Sequence, residues 1–73
     1  MTMSRKELGE YIRNMRESVG WSVGKLAFEV GELESTIRNS ENGTGRVEDR
    51  EKLAKHVKKV VADEQKRRRE KSA

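Results

Sequence analysis

Three glycines divide this 73-residue chain into segments that each have room for a single helix. Gly20 is a candidate C-cap for the first helix, Gly31 allows a positive-φ turn, and Gly43 lies in a sequence that stops the third helix. Apolar residues recur at helical spacing before Gly20, which predicts a helix from about Arg5 to Val19. The second segment has room for only a short helix, from about Val23 to Val30.

The segment after Gly31 predicts a third helix with two distinct faces. Leu33, Ile37 and Ser40 are expected to share its inward face. The outward face and its flanks then carry polar side chains that can donate or accept hydrogen bonds: Glu34, Ser35, Thr36, Arg38, Asn39 and Asn42. The sequence "NGTG" at residues 42–45 ends this helix.

A fourth helix is predicted in the C-terminal third, where one face is apolar and consists of Val47, Leu53, Ala54, Val57, Val60 and Val61. Beyond Ala62, the i,i+4 pairs Asp63–Arg67 and Glu64–Arg68 can extend the helix. The last three valines continue the apolar stripe further than a four-helix core requires. They are therefore either contacts to a second copy of the chain or core residues covered by the first helix.

The fold class that these segments predict is all-α, with four or five helices. Proline is absent and 41% of the residues are charged, which favours helices with solvated outer faces. A chain with 32% hydrophobic residues and no cysteine fills one small core without disulfides or a thiolate zinc site. No apolar run approaches the roughly 20 residues of a membrane span, and the N-terminus lacks a signal-peptide core. We expect a soluble, cytoplasmic protein.

The charge is concentrated at the C-terminal end. Residues 1–54 carry 9 basic and 10 acidic groups, whereas residues 55–73 carry 8 and 3. We therefore divide the chain into a domain over residues 4–62 and a basic extension over 63–73. The extension can anchor to phosphate, support dimerisation or simply be solvated, and its candidate phosphate contacts are Lys66, Arg67, Arg68 and Arg69.

Four stretches have the order and spacing of one family of DNA-binding proteins. They are "LGEYIRNMRE", "SVGKLAFEVG", "STIRNSENG" and "KLAKHV". Residues 8–57 thereby resemble the lambda-repressor-like helix-turn-helix family of Cro/CI type. The resemblance implies that the third helix enters DNA and that Arg16 forms an ion pair with Glu41. The chain departs from the family at Val23, where a phosphate-binding glutamine is common, and at Leu33, where a serine cap is usual.

The resemblance leads to a sequence-specific DNA-binding regulator, most simply a repressor that occupies its operator. Arg38 can donate two hydrogen bonds to guanine, Asn39 or Asn42 can pair with adenine, and Glu34 can accept from cytosine. Ser35 and Thr36 reach phosphate or a thymine methyl group. The candidate contacts to the DNA backbone outside the extension are Ser22, Lys25, Thr44 and Arg46. We expect a nucleoid-associated homodimer on a palindromic operator. The alternative is that these residues are simply solvated helix faces.

A second functional class remains open, namely a protein-binding module that keeps the same fold. Phe28, Glu29 and Glu32 would form its acidic, aromatic contact surface. An enzyme is not expected, because His56 is the only histidine and no cluster has metal-ligand spacing. No cofactor is expected either, since no glycine loop has a phosphate-binding pattern.

Overall fold

The computed structural model describes residues 3–45 and 49–72, and this part of the chain is helical without any strand. The helices are α1 at Arg5–Ser18, α2 at Val23–Val30, α3 at Glu34–Glu41 and α4 at Arg50–Ser72. The predicted all-α class is confirmed. The predicted stripe residue Val47 and the predicted DNA contact Arg46 lie outside the described residues.

Side-chain caps fix three of the four helix starts. Ser4 and Glu7 form the predicted capping box, in which each side chain accepts a hydrogen bond of 3.0 Å from the other's backbone N–H. Ser22 and Asp49 each accept a bond from the N–H three residues later, at 3.1 and 3.0 Å. The N-cap residue of α3 is Leu33, whose side chain cannot cap, so the start of this helix depends on tertiary packing.

The four helices surround one apolar core. α3 and α4 each pack against both α1 and α2 and make little contact with each other. Every helix contributes at least one fully or nearly fully buried side chain, and the buried cluster comprises Leu8, Ile12, Val19, Trp21, Leu26, Ala27, Ile37, Leu53, Ala54, Val57 and Val61.

The valines of α4 belong to this core. Val57 and Val61 have no exposed surface in the single chain, and Val60 is half-buried against the same cluster. Of the two alternatives that the sequence left open, burial under the chain's own helices is the one observed for Val57 and Val61. Neither offers surface to a second copy, because both lie inside the core cluster to which all four helices contribute.

α4 runs parallel to α1 and is tied to it at both ends. Arg50 Nη1 donates to the carbonyl oxygen of Met3, just before α1, at 2.9 Å. Arg68 Nη2 donates to the carbonyl oxygen of Val19, just after α1, at 2.6 Å. The two bonds follow the same order along both helices, which is why the helices are parallel. The second bond anchors the far half of α4 to the body of the protein.

The basic extension is a continuation of α4. Glu64 accepts hydrogen bonds from Arg68 Nε and Arg67 Nη2, both at 2.8 Å, and these bonds lower the pKa of its carboxyl group. The predicted Glu64–Arg68 pair is therefore present, whereas Arg67 bonds to Glu64 and not to Asp63. An i,i+3 partner competes with an i,i+4 partner on a helix surface, so spacing alone does not select between them.

Candidate nucleic-acid interface

A three-residue connection joins α2 to α3. Gly31 has φ 74° and ψ 31°, a left-handed conformation that suits glycine. Its N–H donates to the carbonyl of Phe28 at 3.3 Å, and the N–H of Glu32 donates to that of Ala27 at 2.9 Å. These bonds satisfy the last carbonyls of α2 and turn the chain sharply. The result is a pair of short helices packed against each other across a tight turn.

The inward face of α3 is held close to α1. Ile37 and Ser40 are buried as predicted, and Ser40 Oγ donates to the carbonyl of Thr36 at 2.7 Å. A Cβ atom on Gly9 of α1 would lie 2.5 Å from the carbonyl oxygen of Ser40 and 2.8 Å from that of Glu41. Only glycine at this position allows the end of α3 to approach α1 so closely.

Arg16 and Glu41 form the ion pair that the resemblance implies. Arg16 Nε lies 2.8 Å from Glu41 Oε2, and Nη2 lies 2.9 Å from Oε1. The side chain of Glu41 is only 4% exposed and that of Arg16 17%. The hydrogen bond to Glu41 raises the pKa of Arg16. Arg16 Nη1 also donates to the carbonyl of Trp21 at 2.9 Å, and Arg13 approaches Glu41 at 3.4 Å. This carboxylate therefore secures α3 and does not face a ligand.

The predicted base-reading residues lie together on and just after α3. Ser35, Arg38, Asn39 and Asn42 are exposed, and Thr36 is half-buried.

Two of these candidate base readers pair with each other. Arg38 Nη2 lies 2.6 Å from Glu34 Oε1, and both side chains are more than half exposed. Such an exposed i,i+4 pair is worth only about 0.3–0.5 kcal/mol, so a base edge can replace either partner. The pair orients the guanidinium along the helix, and its other N–H groups remain free to donate.

The predicted backbone contacts on the α2 side are partly occupied. The hydroxyl oxygen of Ser22 caps α2, which leaves its O–H able to donate to a phosphate. Lys25 Nζ lies 3.2 Å from Glu29 Oε2 and within 6 Å of the ring centroids of both aromatic residues of this region, Trp21 and Phe28. Thr44 Oγ1 donates to a backbone carbonyl at 3.4 Å.

The C-terminal candidates lie on another helix. Lys66, Arg67, Arg68 and Arg69 are all exposed on α4, which makes little contact with α3. Arg67 and Arg68 already bond to Glu64, and Arg68 also bonds to the end of α1.

Two large apolar side chains are exposed at the end of α2 and in the turn that follows it. Phe28 is 78% exposed, and Leu33 is 72% exposed. The prediction that Leu33 points inward is wrong, because this residue precedes α3 in extended backbone and so does not follow the helical period. Glu29 is half-buried beside Lys25, and Glu32 is exposed in the turn. Phe28, Glu29 and Glu32 thus lie on or next to one turn. Leu33, which the sequence pattern had assigned to the core, is exposed beside them.

An open apolar groove lies between the first halves of α1 and α4. Its volume is about 260 Å³, and it is lined by Met3, Tyr11, Ala54 and the side chains of Glu51, Lys55 and Lys58. His56 is exposed, and no group of three or more His, Asp or Glu side chains within residues 3–45 and 49–72 could hold a metal ion. In the same part of the chain, no helix combines the length and apolar character needed to cross a membrane.

Comparison with protein-family models, with curated proteins and with solved structures gives no match to this chain. The resemblance of residues 8–57 to the lambda-repressor-like family is therefore one of motif order and spacing alone.

Proposed function

We propose that this protein is a sequence-specific DNA-binding transcription regulator of the lambda-repressor-like helix-turn-helix type. α2, the Gly31 turn and α3 are its helix-turn-helix unit, and α3 is the helix that enters the major groove. The observation that carries the proposal is the division of α3 into an anchored face and an exposed, hydrogen-bonding face. A helix held in this way presents its polar side chains to a groove without having to move.

The exposed groups of α3 match the chemistry of base edges. Arg38 donates two hydrogen bonds to guanine N7 and O6, while Asn39 or Asn42 pairs with adenine N6 and N7. Glu34 accepts from cytosine N4 once its bond to Arg38 is exchanged. A good bidentate contact discriminates between bases by about 1–3 kcal/mol, which exceeds the worth of the exposed Glu34–Arg38 pair.

The charge of this surface limits its affinity. Residues 22–45 contain two basic and four acidic side chains, and Glu41 is taken up by Arg16. Nonspecific attraction to phosphate is therefore weak. We infer that specific binding requires a homodimer on a palindromic operator, which doubles the contacts and places two copies of α3 one DNA turn apart. Repression by operator occupancy is the simplest outcome, because it requires nothing beyond binding.

The test is a comparison of Arg38→Ala with Arg5→Ala. Arg5 is exposed at the start of α1, so its variant removes the same side chain outside α3. We expect Arg38→Ala to weaken specific binding by about 1–3 kcal/mol and to relax the preference at one base position. Arg5→Ala should leave the preference unchanged. An Arg38→Ala variant with the wild-type sequence profile would remove this residue from base recognition.

A protein-binding module is the second candidate, and the exposure of Phe28 and Leu33 favours it. An apolar surface rimmed by Glu29 and Glu32 suits a partner with a basic, partly apolar face. DNA titration at low salt separates the two candidates. Salt-sensitive binding to duplex DNA supports the regulator. If the protein does not bind DNA even at a low salt concentration of about 50 mM, the protein-binding function is favoured.

A further inference from the structure

A continuous basic stripe runs along the outer side of α4. Its members recur at alternating spacings of three and four residues, which places them on one helix face. We call it the basic ridge, and its residues are Lys52, Lys55, Lys59, Lys66 and Arg69, all exposed. The one remaining position in this spacing is Ala62, and the exposed acidic residues Glu51, Asp63 and Glu70 lie beside the stripe. At 1.5 Å per residue, the ridge is about 26 Å long.

Among the described residues, the carboxylates beside the basic ridge form no ion pair with it. Within residues 3–45 and 49–72, no side chain of the ridge forms an ion pair or a hydrogen bond. Glu64, by contrast, lies on the inner side of α4 and is already bonded to Arg67 and Arg68. Like charges at i,i+3 and i,i+4 repel each other on a helix. A polyanion bound along the ridge would relieve this repulsion.

The ridge is anchored to the body of the protein and lies on a different helix from the candidate base readers. Arg50 and Arg68 tie α4 to the two ends of α1, which holds the helix against the body over most of its length. α4 and α3 make little contact with each other, and the inner face of α4 is buried. The ridge and the exposed face of α3 are therefore two distinct surfaces.

We propose that the basic ridge is a second, sequence-independent surface for the phosphate backbone of DNA, so that one molecule holds two duplex segments. Four of the five residues are lysines, which act as flexible, hydrated point charges and suit a line of phosphates better than a single anion. A membrane surface fits less well, because a helix that binds one exposes an apolar face, and that of α4 is buried. Holding two segments rests on the proposed function of α3, whereas phosphate binding by the ridge does not.

The test compares two double variants of the full chain with equal charge changes. Lys59→Gln/Lys66→Gln alters the ridge, and Arg5→Gln/Lys6→Gln alters exposed residues of α1. Glutamine has nearly the helix propensity of lysine and arginine, so both variants should fold, and a circular dichroism melt checks this. Binding to a random-sequence duplex of about 20 base pairs is measured by anisotropy at several salt concentrations, over which each phosphate contact changes the slope.

Loss of two phosphate contacts should reduce the slope of log K against log salt by about 1.8 for the ridge variant and not for the α1 variant. A second assay measures capture of a labelled duplex by a bead-bound duplex. We expect wild type and the α1 variant to capture it and the ridge variant to capture several-fold less.

Equal slopes and equal capture for both variants would overturn the inference. An unchanged slope with weaker binding of the ridge variant to phosphatidylserine vesicles would also overturn it, in favour of a lipid surface. Arg38→Ala distinguishes failure of the proposed function. If that variant keeps the wild-type sequence profile while the ridge variant loses salt dependence, the ridge binds DNA and α3 does not read it.

Discussion

The ion pair between Arg16 and Glu41 should be the polar contact on which the position of α3 depends most. We consider Glu41→Gln, which keeps the size of the side chain but removes its charge. The guanidinium of Arg16 would then remain mostly buried beside a neutral amide whose NH₂ group cannot accept. It would keep its bond to the carbonyl of Trp21.

The expected loss of stability follows from that burial. Removing one partner of a fully buried pair costs about 3–5 kcal/mol. The residual exposure of Arg16 and its bond to Trp21 reduce this, and we expect about 2–3 kcal/mol for Glu41→Gln. A domain of this size has a total stability of roughly 4–11 kcal/mol, so the variant loses a large fraction of it. At about 4–8 °C per kcal/mol, the Tm should fall by about 8–24 °C.

Urea unfolding followed by fluorescence measures this loss, because Trp21 is the only tryptophan and is buried next to the pair. Glu32→Gln is the matched control. It has the same charge change on an exposed residue that has no ion pair among the described residues, and its effect should stay within about 0.5 kcal/mol. Arg16→Met combined with Glu41→Gln should be less destabilising than the sum of the single changes by about 1–3 kcal/mol. Additive effects, or a Glu41→Gln variant as stable as Glu32→Gln, would refute the reasoning.

Four further predictions concern the helices. Gly9→Ala should destabilise the protein by about 1–3 kcal/mol or more, because its Cβ would meet the backbone carbonyls of α3. Gly24→Ala should be neutral or stabilising in the same melts, since its Cβ would meet only a flexible side chain and alanine favours helix. Glu64→Gln should lower the Tm at pH 7, and this difference should shrink as the pH is lowered. The lowered pKa of this carboxyl stabilises the fold above its unfolded value of about 4.3, and the effect is lost as pH falls through the folded pKa. A difference that does not shrink in acid would contradict this assignment. Arg68→Gln should speed amide hydrogen exchange in the last turns of α4, while Arg69→Gln should not, because only Arg68 is bonded to the end of α1. Equal exchange rates would mean that this bond does not anchor the extension.

Local signals in the sequence predicted the helices well. The capping box at Ser4 and the glycine at position 31 act within a few residues, so they fix helix ends independently of the rest of the fold. The helical period also identified Ile37 and Ser40 as inward-facing. It failed at Leu33, where the backbone is not yet helical and the period does not apply.

Tertiary relations were less accessible from the sequence. An apolar stripe shows which face of α4 is buried but not what covers it, and only the fold assigns Val57 and Val61 to the chain's own core. The surface on which the basic residues of α4 lie could not be predicted either, because charge counts along a chain do not show which face of the fold the residues occupy. The structure separates the α4 residues from α3 and reveals that Arg68 serves as a tie to Val19.

The central claim is that the exposed face of α3 selects a DNA sequence, and the most direct test is selection of bound duplexes from a random pool by the purified protein. We predict enrichment of a palindromic site whose half-sites are centred one helical turn apart, about 10 base pairs. Each half-site should contain a guanine whose preference disappears when the selection is repeated with Arg38→Ala. A pool that stays random through repeated rounds would contradict the claim, even if the protein binds DNA.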